Sequence, residues 1–451
     1  MLIDKKTKEP PQGLFRSLRY LGPGLILSAS IVGSGELIAT TALGAKAGFC
    51  VLWVLILGCI IKVAVQLEYG KNCICYGKPS FQAWNGLPGP RVWHLHWSIH
   101  VGLVSFAAMV IGMGAVMGGA AQAASEAFGG RGVMLWIVIL WLIIALLVYS
   151  GKYRLIELAA VGMNSVFVSI ILFCVFALQR TQYAFGWNDV AEGFGIRLPA
   201  EAIVLALAAF GITGLGSGEI IMYPYWCLEK GYAAWTGPRD DSPEWLRRAR
   251  GWIRVMTLDA VISMIVYTVV TVAFYFLGAA VLHVQAELKD GAELISQLSQ
   301  IFTEVLGPGA TGLFMVGAFV VLFSTAFANT AGYSHVWTDL LGLYRLYDLN
   351  NPQSRRRVFA ILAVALPAIW GLFYLWLPQP LILIAILGIA NSVFLIVVAY
   401  QALVFRYRRT DKSIAPTRLY DIFLLASTAA IGFVAMRALI ATINKWLGLT
   451  G

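Results

Sequence analysis

The sequence predicts an all-α membrane protein of eleven transmembrane helices: two inverted five-helix repeats with broken first and sixth helices, and one further helix at the C-terminal end. Three features support this. Apolar stretches repeatedly exceed the width of a bilayer, basic residues gather in every second loop, and one Gly-Ser-Gly-Glu tetrapeptide recurs in two spans that lie five apart.

The 451 residues are 59% hydrophobic and 12% charged, with a mean hydropathy of +0.77. A soluble chain of this length would need far more charge. The apolar runs pass the roughly 20 residues that cross about 30 Å of hydrocarbon. They are continuous rather than alternating, which indicates helices and not a barrel. Met1 to Gly13 is polar and basic, so no cleavable leader is expected before the first span. Cys50, Cys59, Cys174 and Cys227 lie in apolar runs, and Cys73 and Cys75 sit just past one. A disulfide framework is not expected, and the Cys73–Cys75 pair lacks a second pair at zinc spacing.

In chain order the expected spans are Gly22–Ala47, Phe49–Tyr69, Ser98–Ser125, Val133–Tyr149, Leu155–Ala177 and Pro199–Leu228, then Trp252–His283, Ala310–Gly332, Val358–Leu377, Gln379–Val404 and Ile422–Trp446. All belong to one transporter domain, residues 1–451, with repeats at about 20–180 and 199–405 and the extra helix at about 420–447. With the N-terminus inside, 25 of the 33 Lys and Arg residues fall in inner segments and six in outer ones, leaving Lys62 and Arg437 within spans. That asymmetry follows the positive-inside rule and places the N-terminus in the cytoplasm and the C-terminus outside an inner (plasma) membrane. The net charge of +10 therefore belongs to topology and the anionic inner leaflet, not to nucleic acid. The outer segment from Gln285 to Glu304 is acidic, through Glu287, Asp290, Glu293 and Glu304, and either attracts cations or is a solvated loop.

The first span contains Gly33-Ser34-Gly35-Glu36 and the sixth contains Gly216-Ser217-Gly218-Glu219. Two glycines about a serine weaken a helix by about 1 kcal/mol each. In lipid such an interruption survives only where the freed backbone faces protein or a wet cavity, and paired discontinuities are a pointer to a transporter's central site. Each break carries a glutamate, costly at mid-membrane. A close-packing role for the glycines is the alternative. Because five is odd, the second copy is flipped, which makes the repeat inverted.

At these residues the chain resembles the Nramp family of divalent-metal transporters. Gly22-Pro23-Gly24 enters the first span, Thr41-Ala42-Leu43-Gly44-Ala45 leaves it, and Leu52-Trp53-Val54-Leu55 is followed by Gln66. The resemblance implies the LeuT-type fold and metal ligands at the two breaks. It also shows departures. Where the family has Asp-Pro-Gly-Asn, this chain has Gly33, Ser34, Gly35 and Glu36. Where the family has Met-Pro-His, the internal echo aligns Gly216 to Glu219, and a second register aligns Met222, Tyr223 and Pro224. The first register leaves Glu36, Glu219, Ser34, Ser217 and backbone carbonyls, an oxygen set suited to Mg²⁺, Mn²⁺ or Ca²⁺. Two neighbouring carboxylates could also bind protons as a coupled pair.

Secondary candidates are Gln66, Asn391, Met222, Tyr223 and Asp259. Asp259 follows a basic loop, where pairing with Arg254 or another arginine competes with a proton path. Tyr223, Pro224, Tyr225 and Trp226 form either a gate or an interfacial aromatic anchor. His94, His96 and His100 fit an interfacial stretch better than a metal cluster. His335 and Asp339, four apart, suggest a cytoplasmic gate contact. The chain has no His-Glu-x-x-His, Walker loop or Gly-x-Ser-x-Gly elbow, so neither an enzyme nor an ATP-driven pump is expected. Two readings stand. One is a divalent-cation transporter, open to proton coupling, with the metal as substrate and no cofactor. The other is a Na⁺- or H⁺-coupled transporter of a small organic solute. The oligomeric state is open, and a monomer is compatible with the sequence.

Overall fold

The computed structural model describes residues 7–446, apart from 130–131, 151–152, 200–201, 411–412 and most of 284–309. The acidic outer segment from Gln285 to Glu304 thus falls almost wholly outside the described residues, and so does the side chain of Ser34. Among the described residues, nine helices are long and apolar enough to cross a membrane, and the bent pair Pro23–Ile31 and Gly35–Ala47 makes a tenth crossing. Val133–Tyr149 is a shorter apolar helix in the position expected for the fourth span. Each of the eleven expected segments therefore has a helical counterpart.

The first span comprises α1 (Pro23–Ile31), a π-helical turn over Ser34–Thr40, and α2 (Thr41–Ala47). The others are α3 (Leu52–Tyr76), α4 (Trp97–Gly112) continued by α5 (Gly114–Phe128), α6 (Val133–Tyr149) and α7 (Tyr153–Leu178). The sixth span is split into α8 (Ile203–Ile212) and α9 (Ser217–Lys230). Then follow α10 (Pro243–Leu277), α11 (Ala310–Leu343), α12 (Pro352–Trp376), α13 (Pro380–Arg408) and α14 (Arg418–Trp446). A short antiparallel ribbon, β1 (Arg91–Val92) and β2 (Leu95–His96), precedes α4.

Several helices run past the apolar limits read from the sequence. α10 begins at Pro243 rather than Trp252, because Ser242 accepts the Trp245 N–H at 3.1 Å and Pro243 occupies the first turn, where it sacrifices no hydrogen bond. α12 likewise begins six residues before Val358, capped by Asn351 through the N–H groups of Gln353 and Ser354. Hydropathy marks the part of a helix in lipid, and these polar first turns stand outside it.

Burial separates core from periphery. The broken helices and α3 are enclosed, with Leu55, Val65, Phe210 and Ile220 nearly free of solvent. α6, α7 and α14 instead expose Leu146, Phe176 and Phe433, the apolar surface expected where lipid replaces water. α8 packs on α13, α3 on α10, and α11 on α5. These contacts enclose the two breaks at the centre of the bundle.

Candidate functional site

The break in the first span leaves carbonyls without helical partners, and α11 supplies donors to them. Thr325 Oγ1 lies 3.2 Å from both Ala29 O and Val32 O, and Asn329 Nδ2 donates to Ser30 O at 3.1 Å. Gly33 has no room for a Cβ, because the Thr325 side chain occupies that space. Beyond the break, the Gly33 carbonyl accepts the Leu37 N–H at 2.8 Å and the π-helical turn presents Glu36 to the interior. Glu36 is fully buried.

The sixth span breaks between Ile212 and Ser217. Gly214 turns the chain with φ of +61°, and a Cβ there would press on Cys59 and the Tyr267 ring. The new helix is started by Asn391 of α13. Its Oδ1 accepts the Ser217 hydroxyl at 2.9 Å and the Gly218 N–H at 3.1 Å, while its Nδ2 donates to Leu387 O at 3.0 Å. Asn391, a secondary candidate in the sequence, is a helix cap that also borders the site.

The two breaks meet. Glu36 Oε1 accepts the Gly214 N–H at 3.3 Å and the Thr271 hydroxyl at 3.0 Å. Its Oε2 is buried with no hydrogen-bond partner. Gly35 backs onto the Ile212 carbonyl, which leaves little room for a larger residue. Beside this contact lies a small enclosed cavity lined by Glu219, Asn391, Asn329, Tyr333, Met113 and Gly35, among others. Glu219 faces it and keeps part of its surface accessible. Gly216 lies against both the Glu219 carboxylate and Asn391. The two carboxylates therefore stand at touching breaks, but only Glu219 is on the cavity wall.

Three contributors escape a reading of the sequence. Lys62, which there is only a charge within a span, is fully buried in α3 and donates to the carbonyls of Phe210 and Thr213 at the sixth-span break. Asn329 presents an unpaired buried Oδ1 and lines the cavity. Met113 lines the cavity from the third span. The available signal for the first two is a polar residue inside an apolar span. Met113 carries none, since methionine is ordinary there.

A family model described as natural resistance-associated macrophage protein-like matches residues 24–441. The chain belongs to the Nramp family. It is 25% identical over 339 residues to a divalent metal cation transporter, MntH, of Deinococcus radiodurans, covering 74% of this chain and 72% of that one. A manganese transporter of Eremococcus coleocola, in complex with an aromatic bis-isothiourea substituted compound, superposes with a TM-score of 0.70 at 16% identity, covering 99% of this chain and 91% of the other. Mhp1, a nucleobase-cation-symport-1 family transporter in a closed conformation with bromovinylhydantoin bound, gives a TM-score of 0.57 at 15% identity, covering 98% and 93%. The fold is that of the LeuT-type membrane transporters, as the family resemblance implied.

Among the secondary candidates of this Nramp protein, Gln66 is buried with an unpaired Oε1, and it is not among the residues lining the cavity. Met222 is also off the cavity wall and packs its sulfur against Gly332 of α11. Asp259 pairs with no arginine among the described residues. It accepts the Gly22 and Gly24 N–H groups at 2.9 and 2.6 Å, and so caps the entry to α1. Tyr223 lies 3.4 Å from the same carboxylate. Tyr223, Tyr225 and Trp226 are all buried, which replaces the interfacial-anchor alternative with a packed plug. Tyr225 donates to Asp339 at 2.7 Å, and Arg355 reaches Asp339 at 3.1 Å. His335 does not join Asp339 but packs against the rings of Tyr225, Trp226 and Phe359.

The three histidines before α4 point to separate partners: His94 to Leu343 O, His96 to Ser98 and His100 to Tyr344. Burial also pushes the His96 imidazole below its usual pKa. Cys73 is buried in α3 and donates to Pro224 O. No group of three or more His, Cys, Asp or Glu side chains is arranged to hold a metal among the described residues. Any cation site here must draw on neutral oxygens as well as carboxylates.

Proposed function

We propose that this chain is a secondary transporter of divalent cations, favouring hard ions of the Mg²⁺ and Mn²⁺ kind, with its site at the touching breaks of the first and sixth spans. The observation that carries this reading is the convergence of two intramembrane carboxylates with unpaired oxygens. Glu36 Oε2 has no partner, Asn329 Oδ1 has none, and Glu219 opens onto the cavity. Buried acceptors without donors are costly unless a ligand completes them. The donor set is chiefly oxygen, which suits hard cations. Met113 is the one thioether-bearing residue in the lining of the cavity.

Family membership and the divalent metal and manganese transporters among the relatives support the same cargo. Glu36 and Glu219 are assigned as the charged ligands. Gly33, Ser34, Gly216 and Ser217 shape the breaks, and proton exchange at the carboxylates provides the coupling. The chain acts as one domain in the inner membrane, with its N-terminus cytoplasmic and its C-terminus outside. Residues 20–180 and 199–405 form the two repeats, and no catalytic residue is assigned.

Calorimetric titration of purified protein with Mg²⁺, Mn²⁺ and Ca²⁺ tests the assignment. Wild type should bind at least one of these ions saturably, and Glu36→Gln combined with Glu219→Gln should abolish the heat. A folded, monodisperse wild type that binds none of them would sink the reading and redirect the search to Na⁺-dependent organic solutes.

A further inference from the structure

A site that attracts divalent cations has no evident need for a fixed positive charge, yet Lys62 places one beside it. The residue is fully buried in α3, and its Nζ lies 4.5 Å from the centre of the Phe210 ring. It donates to the Phe210 carbonyl and, at 2.9 Å, to the Thr213 carbonyl. In an unbroken helix the Phe210 carbonyl would take the N–H of residue 214. That N–H points instead to Glu36.

The geometry is more specific than a lysine at a helix end. The Thr213 carbonyl and the Gly214 N–H belong to a single peptide unit. Lys62 holds its oxygen and Glu36 holds its hydrogen, at 2.9 and 3.3 Å. One peptide therefore stands between the ammonium and the carboxylate. The ionisable groups that face Lys62 are Cys59, one turn away on its own helix, and the carboxylates of Glu219 and Glu36. Its direct hydrogen bonds among the described residues go to backbone carbonyls.

We propose that Lys62 is a tethered cation built into the transport site, offsetting one of the two carboxylate charges of Glu36 and Glu219 and so setting how tightly the site holds a mobile cation. This rests on the functional reading above. With both carboxylates ionised, Lys62 leaves a net charge of minus one around the breaks; without it, the charge is minus two. A divalent ion entering that space is repelled by the ammonium in a medium of low dielectric constant. The consequence is a site that binds its cargo weakly enough to release it, with specificity set by charge balance as well as by ligand type.

Lysine could serve merely as a C-terminal cap for α8, and glutamine separates the two roles. Its amide still donates to a carbonyl but carries no charge. Titration of purified full-length protein with Mn²⁺ should show Lys62→Gln binding about tenfold tighter than wild type or more. Lys62→Arg should stay close to wild type, and Lys62→Gln with Glu36→Gln should fall back toward it as the net charge is restored. Thermal unfolding confirms that each variant is folded, and Lys62→Met takes the place of Lys62→Gln if the latter is not monodisperse.

Equal or weaker Mn²⁺ binding by the folded, uncharged variant, with wild type still binding, would overturn the tethered-cation role and leave the cargo assignment intact. Absence of binding in wild type and in every variant would overturn both.

Discussion

Asn391 shows how a single side chain can carry a whole local conformation. It receives the two donors that open α9, the Ser217 hydroxyl and the Gly218 N–H, and buried donors are costly to leave unpaired. Asn391→Ala should therefore lower stability by about 1–2 kcal/mol, read as a fall in unfolding temperature in detergent, and should also weaken cation binding because Glu219 lies on the same turn. Full stability in this variant would show that another group caps α9. Met113 gives a test of ligand softness. Met113→Leu keeps the volume but removes the sulfur, so Mn²⁺ binding should persist while Cd²⁺ binding weakens by about tenfold. Equal loss of both ions would mean that residue 113 acts by packing alone. At Gly33 the limit is steric: Gly33→Val should fail to fold unless the Thr325 side chain is also shortened.

Between helices, two carboxylate contacts join elements far apart in sequence. Asp259 of α10 caps the start of α1 through Gly22 and Gly24, and Asp339 of α11 joins Tyr225 of α9 to Arg355 of α12. Hydrogen bonds to a carboxylate contribute about 1.5–3 kcal/mol each, so the first contact outweighs thermal energy several-fold. Asp259→Ala should release α1 and open the bundle there. With Cys227 as the sole cysteine, its alkylation in membranes should accelerate at least tenfold; an unchanged rate would show that the cap does not control opening. The sequence makes Asp259 visible as an intramembrane charge, but points to the wrong partner. Neighbouring arginines are close along the chain, whereas the actual donors are 237 and 235 residues away.

For the molecule as a whole, the alternation of basic loops defines an orientation that labelling can check. Cysteine introduced at Gln182 should react with a membrane-impermeant reagent in intact cells, and cysteine at Gln353 should react only after permeabilisation. The reverse pattern would invert the proposed topology.

The class, the eleven apolar segments, the two breaks with their glutamates and the Nramp resemblance are all legible in the chain alone. These properties are additive along it: hydropathy sums over a window, and a Gly-Ser-Gly interruption is local. Folding was needed to bring Glu219, and not Glu36, to the cavity wall. It also placed Asn329 and Met113 there, put Asp259 on α1, and set Lys62 and Glu36 on opposite sides of one peptide. Those outcomes depend on how each helix is rotated about its axis and which neighbour it meets. Contacts such as that of Glu36 with Thr271, 235 residues apart, are fixed by the packing of the assembled bundle. No period in the chain encodes them.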